Sequence, residues 1–227
     1  MTKISIVLAY NNQLELTSKC LDNLQAVMQE EPEYQYDVIV VNGGNKEDIE
    51  HPVITQLIRL DTNEGFTKVL NHGLKAIADS SSHVLFTAND CFLPLGQKAF
   101  TRFLLSLEDT GCKVVSPTPD NPNVTVYDHL MKGQDERHRF YDFFPTITWF
   151  FRAELLTEVG LLDENFPGVG MYSDNDWALR VGLKYGTPAV AVIKGLTMHH
   201  KLSSESGAYD VNANMNIGRT IYENKWG

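Results

Sequence analysis

Residues 4–10 read ISIVLAY, a nearly continuous apolar run rich in β-branched side chains. Such a run is typical of a strand that is buried on both faces of a parallel sheet. Outward from it, comparable runs recur at residues 38–41 (VIVV), 84–87 (VLFT) and 114–115 (VV), with a short one at residues 58–60. The first half of the chain therefore contains five predicted strands.

Amphipathic segments separate these strands. Residues 14–28, 66–78 and 95–107 carry apolar side chains at helical spacing. Strands that alternate with helices indicate right-handed crossovers, so we expect an α/β fold with a Rossmann-like, mostly parallel sheet flanked by helices.

The alternation ends after the proline-rich residues 116–122, and the second half is smaller and more irregular. Its pattern predicts strands at 146–151, 189–193 and 196–200, helices at 153–159 and about 211–225, and an acidic loop that opens a helix reaching about residue 184. We expect one domain, residues 1–227, made of two halves, residues 1–116 and residues 117–227.

The bulk composition excludes some classes of function. With 227 residues and 43% hydrophobic content the chain can bury a proper core, and its net charge of -10 argues against a nonspecific binder of polyanions. The cysteines, Cys20, Cys91 and Cys112, have neither disulfide-framework nor CxxC spacing and are interpreted as reduced structural thiols. No signal-peptide pattern and no run of membrane-spanning length occurs, so we expect no transmembrane segment and a cytoplasmic location.

Polar clusters follow three of the predicted strands: residues 9–12 (AYNN), 42–44 (NGG) and 88–90 (AND). Taken singly, each is ordinary turn chemistry. Ligands of parallel α/β sheets, however, bind beyond the carboxyl ends of strands, so the three clusters together predict one crevice. Gly65, at a helix entry, would permit close backbone approach to a ligand. Neither GxxxxGK[ST] nor GxGxxG is present.

Three acidic or imidazole groups are candidates for chemistry: Asp90, the pair Asp174 and Asp176, and the pair His199 and His200. Asp90 alone could be a helix-start residue, and a lone strand histidine is more often structural. Because strand side chains alternate, one of the two histidines should point inward and one outward. Carboxylate, imidazole and diphosphate oxygens together would form a plausible shell for Mn²⁺ or Mg²⁺.

Taken in order along nearly the whole chain, these pieces resemble a family-two glycosyltransferase of the GT-A fold. The resembling segments, each with the family pattern, are 4–12 (opening strand and "tyN" loop), 40–45 ("VVDNGS"), 63–66 with 71–73 ("NxGf…NxG"), 85–90 ("lfLNxD"), 159–166 ("vGgFDExFF") and 172–177 ("yxEDxDl").

The resemblance implies an inverting sugar transferase that uses a nucleoside-diphosphate sugar and Mn²⁺ or Mg²⁺. It implies that residues 1–116 are the nucleotide-sugar-binding half and residues 117–227 the acceptor-side, catalytic half. Asp90 would hold the metal with His199 or His200 as a further ligand, and Asp174 would be the general base. Asp176 would orient the site or cap the following helix. The implied nucleotide- or substrate-binding residues are Ala9, Tyr10, Asn11, Asn42, Gly65, Asn71, Asn89, Asp176 and Trp177.

The sequence departs from the family pattern at Asn42, Ala88 and Ser173. Asn42 replaces the usual Asp of the nucleobase pocket, and because an amide both donates and accepts, we expect a pyrimidine donor with altered base choice. Ala88 leaves Asp90 as the main metal carboxylate. Ser173 replaces a Glu and removes one negative charge beside the proposed base.

Two other functions remain open at this point. A nucleotidyltransferase shares the layout, but its basic glycine-rich loop is missing after the first strand; a non-catalytic nucleotide-sugar-binding module would not need the acidic and histidine groups. The acceptor hydroxyl, which could belong to a glycan, a protein, a small molecule or a modified nucleobase, is not identified, and neither is the oligomeric state. Aromatic residues concentrate at 127–149, either as core or as a platform for an acceptor sugar.

Overall fold

The structure is a computed structural model that describes residues 1–77, 79–120, 128–143, 147–186, 188–201 and 211–227. Its centre is a ten-stranded sheet with the strand order β3-β2-β1-β4-β9-β6-β10-β8-β7, to which β5 adds by pairing with β10.

The predicted parallel strands form one half of this sheet. They are β1 (Lys3–Tyr10), β2 (Gln35–Asn42), β3 (Gln56–Arg59) and β4 (His83–Ala88), and every pair among neighbours is parallel. The central residues of β1, β2 and β4 are almost entirely buried, as the apolar runs predicted, whereas β3 at the edge of the sheet is only partly buried.

The other half of the sheet is mixed rather than parallel. Its strands are β5 (Cys91–Phe92), β6 (Val114–Pro119), β7 (Gly133–Gln134), β8 (His138–Tyr141), β9 (Thr148–Arg152) and β10 (Val190–His200). β9 enters between β4 and β6 and runs antiparallel to both, whereas β10 is parallel to β6.

The strands predicted at 189–193 and 196–200 are one strand, β10, with a register shift between Ile193 and Thr197. Gly195 lies in the shifted segment at a φ of +72°, a backbone conformation that glycine adopts without steric cost. The irregularity therefore interrupts the apolar pattern without ending the strand.

Six helices in the described part of the chain flank the sheet: α1 (Leu14–Gln29), α2 (Phe66–Lys75), α3 (Ala99–Thr110), α4 (Leu155–Glu158), α5 (Ser173–Tyr185) and α6 (Val211–Trp226). The starts of α3 and α5 differ from those predicted from the sequence. α3 begins four residues later than predicted, after Gly96 and Lys98, which both have positive φ. The acidic segment 173–176 is the first turn of α5 rather than a loop that precedes it.

Two hydrophobic clusters occupy the two faces of the sheet. One packs side chains of α1 and α3, including Leu21 and Phe103, against β1 and β2. The other packs α2, α4 and α5, including Leu70 and Trp177, against β4 and β9. The result is a three-layer α/β arrangement. Within the described ranges, no helix is both long and apolar enough to cross a membrane.

The first turn of α3 depends on a carboxylate from elsewhere in the chain. Glu31 is fully buried, and its two oxygens accept the backbone N–H groups of Phe100 at 2.9 Å and Thr101 at 2.7 Å. A carboxylate at this position satisfies otherwise unpaired donors and complements the positive end of the helix.

We expect Glu31→Gln to lower the free energy of unfolding by about 1–3 kcal/mol, because a neutral amide offers one acceptor oxygen where the carboxylate offers two. Urea unfolding followed by circular dichroism measures the change. Glu33→Gln, at an exposed neighbouring position, is the matched control and should leave the midpoint unchanged. Equal midpoints for both variants would contradict the capping role.

Candidate functional site

The carboxyl ends of β1, β2 and β4 meet at one edge of the sheet. Tyr10 is the register partner of Asn42, and Ala9 is the register partner of Ala88. The Gly43 N–H donates to the Tyr10 carbonyl at 2.8 Å. The three polar clusters that the sequence singled out are thus adjacent, as the predicted crevice requires.

Two candidate metal ligands converge beyond β4. His200 Nε2 lies 3.5 Å from Asp90 Oδ2, and both side chains are largely but not completely buried. The Lys201 N–H donates to the Asp90 carbonyl at 2.9 Å, which fixes the end of β10 against this turn. A carboxylate oxygen and an imidazole nitrogen at this separation fit a divalent cation of the Mn²⁺ or Mg²⁺ type.

A third donor, Cys91, lies beside them. Ligand atoms of Asp90, Cys91 and His200 all lie within 4.8 Å of one another. The reason is strand register: β5 and β10 are antiparallel, and Cys91 stands directly opposite His200. The sequence-based interpretation of Cys91 as a purely structural thiol did not anticipate this position, because the register of two distant strands is not visible in their sequences.

His199 is oriented differently from His200, as strand alternation predicts. Its Nδ1 is 2.5 Å from Asp120 Oδ2, and its side chain is 63% exposed. The other Asp120 oxygen accepts the backbone N–H of His200 at 3.0 Å. Hydrogen bonds to His199 and His200 outweigh the opposing effect of desolvation and lower the pKa of Asp120. Of the two histidines, His200 is the one that the structure brings to Asp90.

Asp120 was missed by the sequence reasoning, although one signal was available. It lies at the carboxyl end of β6, just as the three polar clusters lie at the carboxyl ends of β1, β2 and β4. Its neighbours Pro117, Pro119 and Pro122 made the segment look like an undifferentiated loop.

Asp174 lies in the first turn of α5, partly buried. Desolvation raises the pKa of its carboxyl to about 6, although the Asn175 N–H donates to Oδ1 at 2.9 Å and partly offsets the effect. A carboxyl with this pKa is ionised at neutral pH and is a much stronger base than an ordinary Asp.

Backbone contacts bring the start of α5 to the edge of the sheet where the strands end. The Phe66 N–H, at the start of α2, donates to the Gly168 carbonyl at 2.8 Å, and the Ser173 N–H donates to the Gly170 carbonyl at 2.9 Å. The Phe66 ring lies 5.9 Å from that of Phe86 in β4. The first turn of α5, which contains Asp174, therefore lies close to the first turn of α2.

Comparison with known proteins gives similarity in structure alone. No protein-family model matches the sequence, and no curated protein matches it. Solved structures that resemble the chain include GalNAc-T7 with UDP, GalNAc and Mn²⁺ (TM-score 0.66, 11% identity, 88% of this chain and 44% of that one). TarS of S. aureus (0.62, 15%, 89% and 37%) and the catalytic domain of Drosophila β1,4-galactosyltransferase 7 with xylobiose (0.60, 10%, 96% and 80%) are similar too.

The chain has a GT-A-type fold. It spans less than half the length of the first two of these structures. The GT-A-type layout predicted from the order of motifs is confirmed, together with its large central sheet flanked by helices.

Within this GT-A fold, Asn42 does not occupy an open nucleobase pocket. It is completely buried, its amide donates to Asp48 Oδ1 at 2.8 Å, and its Oδ1 accepts the Asn45 N–H at 2.6 Å. The amide is thus occupied in holding the loop after β2, and its contact with a pyrimidine base stays a prediction.

Asn71 and Gly65 also have structural partners instead of an open crevice. Asn71 is buried, donates to the Leu162 carbonyl at 2.9 Å and accepts the Leu162 N–H at 3.1 Å. Gly65 has a φ of +89°, and a Cβ there would come within 3.1 Å of the Gly168 carbonyl. The close approach that Gly65 permits here is to the Gly168 backbone, and the ligand contacts of Gly65 and Asn71 stay predictions.

Asp176 and Trp177 belong to the interior as well. Asp176 is fully buried and paired with Arg180 at 2.9 Å, Lys225 at 2.7 Å and the Trp226 Nε1–H at 2.8 Å. Trp177 is buried in the cluster beneath α5 and donates to the Gly160 carbonyl at 2.8 Å. Asp176 therefore connects α6 to α5, and a role of Asp176 or Trp177 in substrate binding stays a prediction.

The remaining residues that were predicted to bind substrate lie at the edge of the crevice. Ala9 and Asn89 are partly exposed, and Asn11 is exposed. Asn89 donates to Thr17 Oγ1 at 2.9 Å, and Asn11 donates to the Gly43 carbonyl at 2.5 Å. Tyr10 is buried, with its hydroxyl accepting the Ile49 N–H at 3.0 Å, so its backbone alone borders the crevice.

The aromatic residues proposed for the acceptor side divide into two groups. Tyr141 and Trp149 are buried core residues, whereas Phe140 and Phe143 are partly exposed. Tyr127 and Phe144 lie outside the described residues.

The raised pKa of Asp174 predicts a pH-dependent effect on stability. Since the folded carboxyl binds its proton more tightly than the unfolded one, stability falls as pH rises from about 4 to about 6. Asp174→Asn should therefore raise the free energy of unfolding by about 1–3 kcal/mol above pH 6 and change it little below pH 4. Thermal unfolding across this pH range measures the difference.

Asp163→Asn is the control, because its effect on stability should have the opposite sign. Burial disfavours the Asp163 carboxylate, but hydrogen bonds from Lys225 and Asn165 outweigh burial and lower its pKa. This variant should be less stable than the parent at neutral pH and should approach it as pH falls. A pH-independent difference for Asp174→Asn would contradict the raised pKa.

Proposed function

We propose that this protein is a metal-assisted glycosyltransferase that moves a sugar from a nucleoside-diphosphate donor to an acceptor hydroxyl with inversion. The observation that carries the proposal is the convergence of Asp90 and His200 beyond β4 of a GT-A fold. The structural neighbour crystallised with UDP and Mn²⁺ supports a nucleotide and a divalent metal at such a site.

In this proposal Asp90 and His200 would hold Mn²⁺ or Mg²⁺, and the ion supplies charge neutralisation for the departing nucleoside diphosphate. Asp90 is 8% exposed, so water competes weakly for its carboxylate. The hydrogen bond from the His200 N–H to Asp120 keeps the strand end in place while the ring faces Asp90.

Asp174 would act as the general base. The acceptor oxygen attacks the anomeric carbon from the face opposite the diphosphate, the new C–O bond forms as the bond to the diphosphate oxygen breaks, and the acceptor proton passes to the Asp174 carboxylate. Direct displacement of this kind inverts the anomeric configuration. With a pKa of about 6, Asp174 is ready to accept the proton at neutral pH.

The donor is identified by a thermal-shift screen of nucleotide sugars with Mn²⁺, because a ligand that binds the native state stabilises it by mass action. The same screen without Mn²⁺ shows whether donor binding requires the metal. The acceptor class, a glycan, a protein, a small molecule or a modified nucleobase, then follows from transfer assays with the identified donor.

We expect Asp90→Ala to abolish metal-dependent nucleotide binding, since it removes the carboxylate of the proposed metal site while leaving most of the core untouched. Isothermal titration of UDP with and without Mn²⁺ measures the effect. Asp109→Ala is the matched control, because Asp109 is an exposed carboxylate near the end of α3, before β6 begins. Metal-dependent affinity that survives in Asp90→Ala would remove Asp90 from the site.

Asp174→Asn should separate binding from chemistry. Donor binding should be retained while transfer falls by roughly 10²–10⁴-fold, the usual contribution of a general base. Release of nucleoside diphosphate from the identified donor, in the presence of acceptor, measures the rate. Asp163→Asn makes the same chemical exchange outside the proposed reaction centre and should keep turnover. Near parental turnover in Asp174→Asn would overturn the assignment of the base.

A further inference from the structure

Cys91 occupies a position that the proposed mechanism does not use. It is 1% exposed and forms, with Asp90 and His200, a group of three donors whose ligand atoms lie within 4.8 Å of one another. Cys91 Sγ is 3.7 Å from Asp90 Oδ1, while His200 Nε2 is 3.5 Å from Asp90 Oδ2. The two oxygens of one carboxylate thus face the sulfur and the imidazole.

Strand pairing makes this proximity a property of the backbone. Cys91 and His200 are direct cross-strand partners in the antiparallel β5–β10 pair, so their side chains stand on the same face. The neighbouring pair, Phe92 and His199, has its rings 6.1 Å apart, and His199 is held by Asp120. The backbones of Cys91 and His200 therefore stay opposite each other whichever rotamers their side chains adopt.

We propose that Cys91 is a third ligand of the metal site, which makes the site selective for cations that accept sulfur. The proposal rests on the proposed function, whose metal site it shares. A carboxylate, an imidazole and a thiolate with one open position match the ligands and coordination number that Zn²⁺ and Co²⁺ prefer, whereas Mg²⁺ prefers oxygen ligands. On binding, the sulfur–metal bond forms and the thiol proton is released to solvent.

The relative burial of the three side chains is consistent with a single cation held by Cys91, Asp90 and His200. Cys91 is more deeply buried than Asp90, and the His200 side chain is the most exposed of the three. A cation held by all three would therefore have its sulfur ligand innermost and its open coordination position toward the crevice, where the diphosphate of a donor would bind.

The direct test is titration of the full chain with Co²⁺ alone, followed by optical absorption. A thiolate ligand produces a sulfur-to-cobalt charge-transfer band in the near ultraviolet, which oxygen and nitrogen ligands do not. We expect the band in the parent chain and in Cys112→Ala, whose thiol contacts the Pro188 carbonyl. It should be lost in Cys91→Ala and in Cys91→Ser, the second of which keeps a small polar side chain in case alanine impairs folding.

Affinity gives a second, independent readout. Isothermal titration should show Zn²⁺ affinity falling by at least about tenfold in Cys91→Ser, since loss of a partner even outside the ligand shell costs this much. Mg²⁺ affinity should change little, because magnesium gains little from sulfur. Unchanged Zn²⁺ affinity in Cys91→Ser would overturn the proposal.

Failure of this inference is distinguishable from failure of the proposed function. If the parent chain shows no thiolate band, or if Cys91→Ala retains it, Cys91 is not a ligand. If Asp90→Ala nevertheless abolishes Mn²⁺-dependent nucleotide binding in that case, the glycosyltransferase proposal stands with Asp90 and His200 alone. If Asp90→Ala has no such effect, both proposals are wrong.

Discussion

The register between β1 and its two parallel neighbours is the constraint on which the site depends. It places Tyr10 beside Asn42 and Ala9 beside Ala88. The strands β1, β2 and β4 therefore end at the same level, and the loops that follow them begin at one edge of the sheet. The strand interiors are held in this alignment by complete burial in the two clusters above and below the sheet. A shift of one residue would move every apolar side chain of a strand to the opposite face.

A second layer of organisation consists of buried polar groups that hold loops and helices against this sheet. Asn42 fixes the loop after β2, Asn71 ties α2 to the segment that leads to α5, and Asp176 fastens α6 to α5 through Lys225 and Trp226. These side chains fall in motifs that suggested ligand binding. Their partners indicate that they position the chain around the site, because a buried amide or carboxylate must be satisfied within the protein.

Sequence reasoning succeeded where a local pattern had one structural meaning. The apolar runs of β1, β2 and β4 could be placed because strands buried on both faces have few alternatives. It failed where contacts between distant segments determine the structure. β9 inserts antiparallel between β4 and β6, and the first turn of α3 is capped by the carboxylate of Glu31. Residues 148–152 carry no local signal for the antiparallel insertion, and Gly96 indicates a break without specifying the residue at which α3 begins.

By itself, the sequence determined the alternating strands and helices, the polar groups at their ends, and the set of residues from which a metal site could be built. The tertiary structure alone decided which of them meet. The pairing of β5 with β10 sets His200 against Cys91 and Asp90 and leaves His199 to Asp120. The physical reason is that cross-strand register arises from packing and hydrogen bonds between distant segments, whereas a sequence pattern specifies only which side chains alternate along each one.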